Sequence, residues 1–277
     1  MTAPDHSPPL VLVSWDGVCV PLALVELDAT PAFDLLLFDY SGRSANGPAT
    51  HRGLNVHLLS EATECKGDIY NAVARHLSTT TALPEFVGLI DDDVLLSVSG
   101  INRLLHVARS LALDVFSPAL SHDSVFSHRW MLHRSHVLSH QAPWIEVMMP
   151  FYRGELFARA AVDFSGNISS YGIDQFAIPV WQHLTGATNA AVVDAVIASH
   201  RRPISSRDRR FRNGLTAMEE YARIRERCAQ RLKDERPDLL SADWYRRLFI
   251  DKRPLHRWER SSNSLGRRLR EWLDRST

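Results

Sequence analysis

Phe86-Val87-Gly88-Leu89-Ile90-Asp91-Asp92-Asp93 is the stretch whose reading decides the fold. An uncharged, largely apolar run passes directly into three consecutive carboxylates. Such a run predicts a strand buried on both faces of a mostly parallel sheet. If the chain stays extended, side chains alternate, so Asp91 and Asp93 face one way and Asp92 the other. In open α/β sheets the ligand crevice lies beyond the carboxyl ends of the strands, and the acidic cluster falls at such an end. Crowded carboxylates repel one another, and some take up protons unless a cation neutralises them. A hard divalent ion bridging carboxylates and a diphosphate resolves that conflict. The competing reading is an acidic turn that caps the next helix.

Working outward, Leu10–Trp15, Asp34–Asp39, Leu54–Leu59 and Asp114–Leu120 read as further buried strands. Between them Lys66–Leu77 and Ser99–Leu113 read as helices. The second places Ile101, Leu104, Leu105, Ala108 and Leu111 on one face, with Ser97 or Ser99 as N-cap. This alternation predicts an open α/β sheet with right-handed crossovers. Ser121–Pro143 is polar, holds five histidines and reads as a long irregular binding element or lid. There follow an apolar run Trp144–Phe151, a helix Gly154–Ala161, a turn Asp163–Gly172, a helix Asp174–Leu184 and a strand Ala191–Ala198. Beyond Arg201 only helical and loop signals remain, at Leu215–Lys233, Ser241–Ile250 and Leu265–Arg275. The expected division is a catalytic unit over 1–205 and a basic helical extension over 206–277.

The 277 residues are 45% apolar and 23% charged, an ordinary globular composition. Cys19, Cys65 and Cys228 are too few and too scattered for a disulfide framework or zinc ribbon, which fits a reducing compartment. The first apolar run has no basic region before it, and no apolar stretch reaches the roughly 18 residues of a membrane span. The expectation is a cytoplasmic protein, at most peripheral at the inner face of a membrane. Residues 201–277 hold 22 Lys/Arg and 12 Asp/Glu, leaving 10 and 20 for the first 200. An acidic front requires a cation or basic partner, and a basic tail suits phosphate-bearing partners; solvated arginine-rich helices are the alternative. Leu265–Leu273, with Arg267, Arg268, Arg270 and Trp272, suits either an anionic membrane surface or packing against the domain. There is no P-loop, no G-x-G-x-x-G and no G-x-S-x-G, and no nucleic-acid partner is expected.

The run FVGLIDDD resembles the D-x-D element of the GT-A-fold nucleotide-sugar glycosyltransferases, and the order of other pieces fits the same template. Asp34–Tyr40 with Ser41-Gly42 resembles that family's second strand, whose end meets the nucleotide base. Lys66-Gly67 opens the helix where donor contacts lie. Trp144–Phe151 and Ser170-Tyr171-Gly172-Ile173-Asp174 resemble the acceptor-side and catalytic region, with Tyr171 where the family has Trp. Val192-Val193-Asp194 followed by His200 resembles the last strand and its metal-binding histidine. The resemblance spans roughly residues 10–205 and extends to an uncharacterised family of glycosyltransferases of this type.

It implies a GT-A-like open, mostly parallel sheet flanked by helices, with a helical C-terminal extension. It further implies a metal-dependent transfer of sugar from a nucleotide-sugar donor to a saccharide or glycolipid acceptor. Mn²⁺ or Mg²⁺ would be held by Asp91, Asp93 and His200, a mixed O/N set. Donor contacts would come from Asp39, Lys66, Asp91 and Asp92, and diphosphate contacts also from Arg201, Arg202 and Arg207. Asp174 is the candidate base that takes the acceptor proton, and Glu146 is a second base or an acceptor-binding group. Blander roles remain open: Asp174 as a helix cap, Glu146 as a buried paired acid, His200 as a surface histidine. His133, His136 and His140 would form a zinc-binding face only if their segment were helical; an acceptor-binding loop is preferred. The alternatives for the whole chain are an inactive glycosyltransferase-like glycan-binding or scaffold module, or a metal-dependent nucleotidyltransferase. No Gly-Ser pair of the kind such nucleotidyltransferases need precedes the acidic cluster.

Overall fold

The computed structural model describes residues 7–21, 25–51, 53–202 and 209–250. The strands are β1 (Leu10–Trp15), β2 (Val25–Glu26), β3 (Asp34–Asp39), β4 (Gly47–His51), β5 (Leu54–Ser60), β6 (Phe86–Ile90), β7 (Val94–Ser97), β8 (Val115–Leu120), β9 (His140–Gln141), β10 (Phe151–Arg153) and β11 (Ala190–His200). The principal helices are α1 (Lys66–Ser78), α2 (Val98–Ser110), α3 (Gly154–Phe164), α4 (Ile178–Thr185) and α5 (Ala217–Glu235). The strands form one sheet in the order β2-β7-β11-β8-β10-β6-β1-β3-β5-β4, with β9 beside β11.

β5, β3, β1 and β6 run parallel to one another, and so do β8 and β11. β10 lies antiparallel between β6 and β8, so these six long strands all point the same way. The shorter strands β4, β7 and β9 pair antiparallel at the margins. The chain winds outward from β1 through β3 to β5, then returns through α1 to β6 on the other side of β1. The order therefore reverses between β1 and β6, the place where open α/β sheets leave a crevice at their carboxyl ends. Asp91 follows β6 at that point.

Every residue of β6 is buried, as the apolar run predicts. The expected strands and the first two helices fall within a few residues of where the sequence puts them. β2, β4, β7, β9 and β10 are not among the expected strands, and of these β7 shapes the site. The chain turns tightly after Asp91, whose carbonyl accepts from Val94 N at 3.2 Å, and Val94–Ser97 pairs with the end of β11. The acidic cluster is therefore no helix cap: α2 is capped by Ser97, whose Oγ accepts from Gly100 N at 3.0 Å.

The described part of the segment from 206, residues 209–250, is not set apart by its packing. Ile224, Cys228 and Leu232 of α5, with Phe249, are buried in the same core as the sheet. The expected helix Ser241–Ile250 is a series of short turns. Leu265–Leu273, with its proposed membrane contact, lies outside the described residues. No described helix is long and apolar enough to cross a membrane. Cys19, Cys65 and Cys228 make no disulfide.

Gly88, in the middle of β6, faces Phe151 of β10, and a Cβ there would lie 2.4 Å from the phenyl ring. Phe151 cannot yield easily, because it is fully buried and stacked on Phe116 at 5.3 Å. Gly88→Ala is expected to destabilise the fold by about 1–3 kcal/mol through overpacking. Urea unfolding should show a lower midpoint with an unchanged slope.

Candidate active site

The tight turn after β6 sends the three carboxylates in different directions. Asp91 Oδ1 lies 2.5 Å from Nζ of Lys66, the first residue of α1. Asp92 turns away, accepting from Tyr40 Oη at 2.7 Å and pairing with Arg202 at 2.5 Å. Asp93 Oδ2 is 3.3 Å from both His200 Nε2 and Arg202 Nε, and its buried Oδ1 has no hydrogen-bond partner. Antiparallel pairing of β7 with β11 brings His200 here, opposite Val94.

Burial lifts the Asp91 carboxyl to about 6; Lys66 opposes this, while Asp93 and Asp92 reinforce it. Burial also works against the Asp93 anion, but His200 and then Arg202 outweigh it and hold Asp93 below the usual carboxylate range. His200 loses from desolvation, yet its bonds to Asp93 and the Val125 carbonyl raise it overall. A carbonyl can only accept, so the 2.7 Å contact with Val125 O places a proton on Nδ1. That leaves Nε2 directed at Asp93, the arrangement in which histidines bind metals.

Among the described residues, no three or more His, Cys, Asp or Glu side chains are grouped to hold a metal ion. Asp93 and His200 nevertheless supply an orphaned carboxylate oxygen and an oriented imidazole nitrogen. These fit one edge of a divalent site whose other ligands would be phosphate oxygens and water.

Asp39 is placed differently from the expectation. It is fully buried, and both of its oxygens serve the following loop. Oδ1 accepts from Ser41 N and Oγ, at 2.8 and 2.6 Å. Oδ2 accepts from Ser44 N at 2.8 Å, Ser60 Oγ at 3.0 Å and Arg43 N at 3.1 Å. It therefore shapes the loop instead of facing the crevice, and Tyr40 is the side chain that reaches the acidic cluster. Of the expected phosphate-binding arginines, Arg202 stands at the cluster, Arg201 pairs with Asp123 at 3.1 Å, and Arg207 lies outside the described residues.

The second group lies around Asp174. Gly172, at φ +88°, turns the chain into a wide helical turn Ile173–Ala177, and Asp174 sits buried inside it. Burial raises its carboxyl to about 7; His128 opposes the shift and Glu146 adds to it. Glu146 is itself buried, and its Oε2 has no hydrogen-bond partner. Beside it, His128 stacks on Trp130 at 4.4 Å, and both meet Trp144 edge-on at 5.2 and 4.6 Å. Trp144 Nε1 and Ser127 Oγ are likewise buried without partners. Unpaired buried polar atoms are rare in folded proteins, and a cluster of them beside a buried acid is the mark of a ligand or water site.

Apart from one short turn at Arg129–Met131 and β9 at His140–Gln141 the histidine segment is irregular, so the helical zinc face does not form. His140 instead holds the segment to the sheet, through Asp194 of β11 and the Trp130 carbonyl, each at 2.6 Å.

No protein-family model and no curated protein sequence matches the chain. Solved structures do. The chain is similar to S. aureus TarS 1-349 at a TM-score of 0.56 and 13% identity, covering 89% of this chain and 73% of that one. The same TarS fragment in complex with UDP-GlcNAc aligns at 0.46 and 13%, covering 88% and 79%. The likeness at 0.56 shows the fold alone, a GT-A-like α/β sheet flanked by helices.

A buried acid with a raised pKa bears on stability. The native state keeps a proton on Asp174 that the unfolded chain gives up near pH 4. Its favourable contribution is therefore full below about pH 4 and lost as pH rises to about 7. Asp174→Asn is expected to match the parent protein at pH 4 and to exceed it by about 2–4 kcal/mol at pH 8. Thermal melts at the two pH values check this.

Proposed function

We propose that this chain is a glycosyltransferase that moves a sugar from a nucleoside-diphosphate donor to a saccharide or glycolipid acceptor, assisted by Mn²⁺ or Mg²⁺. The observation that carries the reading is the meeting of Lys66, Asp91, Asp93 and His200 at the switch point of a GT-A-like sheet. Charge balance supports the ion. Three carboxylates face Lys66 and Arg202, so once His200 has given up the proton it directs at Asp93, as binding an ion would require, the cluster is net negative. A diphosphate cannot approach without more positive charge.

Asp93 and His200 Nε2 would hold the ion together with donor oxygens, and Asp91 could join if Lys66 released it. When bound, the ion offsets negative charge developing on the leaving diphosphate. Lys66 and Arg202 reach the donor phosphates as charge-assisted hydrogen-bond donors. Asp92, held by Tyr40 and Arg202, keeps the rim of the donor site in place. Asp174, with a carboxyl near neutrality, accepts the proton of the attacking acceptor hydroxyl if configuration is inverted. Glu146 Oε2 and Trp144 Nε1 offer an acceptor and a donor to hydroxyls of the acceptor, against the aromatic wall of His128 and Trp130.

A second reading has one observation in its favour. The Lys66–Asp91 and Arg202–Asp92 pairs offset two of the three carboxylates without an ion, as would suit an inactive glycan-binding or scaffold module.

Calorimetry with UDP, GDP and UDP-GlcNAc, with and without Mn²⁺, separates the two. Metal-dependent nucleotide affinity is expected, lost in Asp93→Ala and kept in Asp174→Asn. The latter should lose transfer by about 10²–10⁴-fold, the usual contribution of a general base. Transfer by the parent protein should fall as pH drops through about 7, where Asp174 takes up its proton. Glycan binding with no nucleotide affinity in either condition would favour the scaffold.

A further inference from the structure

We infer that Glu220, on the C-terminal helix α5, is a positioning residue of the active site, because its carboxylate fixes the loop that links Lys66 to Asp174. The inference rests on the transferase reading above and extends it to a part of the chain outside the resemblance.

Glu220 is buried, with 3% of its surface exposed. Its oxygens accept from neutral N–H donors, two of them successive backbone groups of one loop. Oε2 accepts from Ser169 N at 2.7 Å, and Oε1 from Ile168 N at 2.9 Å and from Asn213 Nδ2 at 2.6 Å. Two successive backbone N–H groups aimed at one anion form a nest, which a carboxylate fills with two acceptor oxygens where a neutral amide has one. The loop needs such a clamp. Ser170 adopts a left-handed φ of +70°, rare for a residue with a side chain, and its N–H is taken by Asn167 Oδ1 at 2.7 Å.

The clamped loop reaches both halves of the site. On one side, the Ile168 carbonyl accepts from Gly67 N at 2.8 Å, and the Asn167 carbonyl accepts from Asn71 Nδ2 at 2.9 Å. The approach is so close that a Cβ on Gly67 would lie 2.6 Å from the Asn167 carbonyl oxygen. Gly67 follows Lys66, which holds Asp91. On the other side, the loop runs through Gly172, against Ile224 of α5, into the turn that carries Asp174. Tyr221, next to Glu220, donates to Gln175 Oε1 at 2.9 Å. A capping box between Thr216 and Glu219 fixes the first turn of α5, and with it the place from which Glu220 reaches. Loss of the clamp frees Lys66 and Asp174 to drift together, and misplacement by about 1 Å costs on the order of 10²-fold in rate.

The test uses the full chain and two variants, Glu220→Gln and Glu220→Asp, so that one failing to fold leaves the other. Hydrogen exchange is followed over 166–173 and the start of α1. Hydrolysis and transfer from UDP-GlcNAc and other nucleotide sugars are followed with Mn²⁺ across pH. The expected result is faster exchange in both segments, a fall in kcat of about 10²-fold and a displaced acidic limb of the pH–rate profile. A merely structural Glu220 would lower the melting temperature and leave the pH profile of the folded fraction unmoved. Unchanged exchange, or faster exchange with kcat and pH profile unchanged, overturns the inference. A parent protein that turns over no donor overturns the transferase reading instead. The Glu220 assignment then rests on NMR titration of the Asp174 carboxyl, which must move in the variants if the clamp sets its surroundings and is refuted if it does not.

Discussion

Three adjacent carboxylates at the mouth of a buried strand are the constraint around which this molecule is arranged. At roughly 4 Å, two like charges repel by about 4 kcal/mol in surroundings typical of a protein surface. The fold answers by drawing a partner from a different element for each acid. Lys66 comes from the start of α1, Tyr40 from the end of β3, His200 from the end of β11, and Arg202 from just beyond it. The crossing of β7 over to β11 serves the same end, since without that pairing neither His200 nor Arg202 would reach the cluster. The compensation is incomplete at Asp91, which remains lifted to about 6. The proposed chemistry depends on that incomplete compensation.

The parts of this arrangement visible in the sequence are those carried by local pattern. Uninterrupted apolar runs located the central strands, because a strand buried on both faces leaves no room for polar residues. The helical period and Ser97 located α2. What escaped depends on distant partners. Val94–Ser97 is too short to stand out beside a helix, and its pairing partner lies about a hundred residues further on. Asp39 ends a strand just as Asp91 nearly does, so pattern alone assigns both to the ligand. Only the placement of Ser41, Ser44 and Ser60 shows that Asp39 is committed to its own loop. The spacing of His133, His136 and His140 suggests a helical face, but Asp194 and the Trp130 carbonyl hold His140 in an irregular chain. Glu220 is invisible for the opposite reason: an acid in the first turns of an arginine-rich helix has nothing to distinguish it.

The charge asymmetry between the two parts of the chain has a related explanation. A basic tail suggests an external anionic partner, yet several of its described arginines bind acids of the front part. Arg212 grips Asp68 through two bonds of 2.5 Å, Arg209 meets Glu64 at 2.7 Å, and Arg231 meets Asp163 at 2.6 Å while lying over the Trp181 ring. Exposed ion pairs of this kind contribute little singly. Asp68 and Asp163 are different because both are buried, and removing the arginine from either would leave a charged group stranded away from water. Asp68 lies two residues from Lys66, so the Arg212 pair fastens the C-terminal segment near the acidic cluster. Glu220 fastens it to the loop leading to Asp174. Part of the opposite charge of the two regions is thus internal complementarity. It explains why a helix with so polar a sequence packs into the core instead of standing off in solvent: α5 buries a narrow stripe of Ile224, Cys228 and Leu232, and the acids and arginines on either side of that stripe keep it in register with the active-site loops.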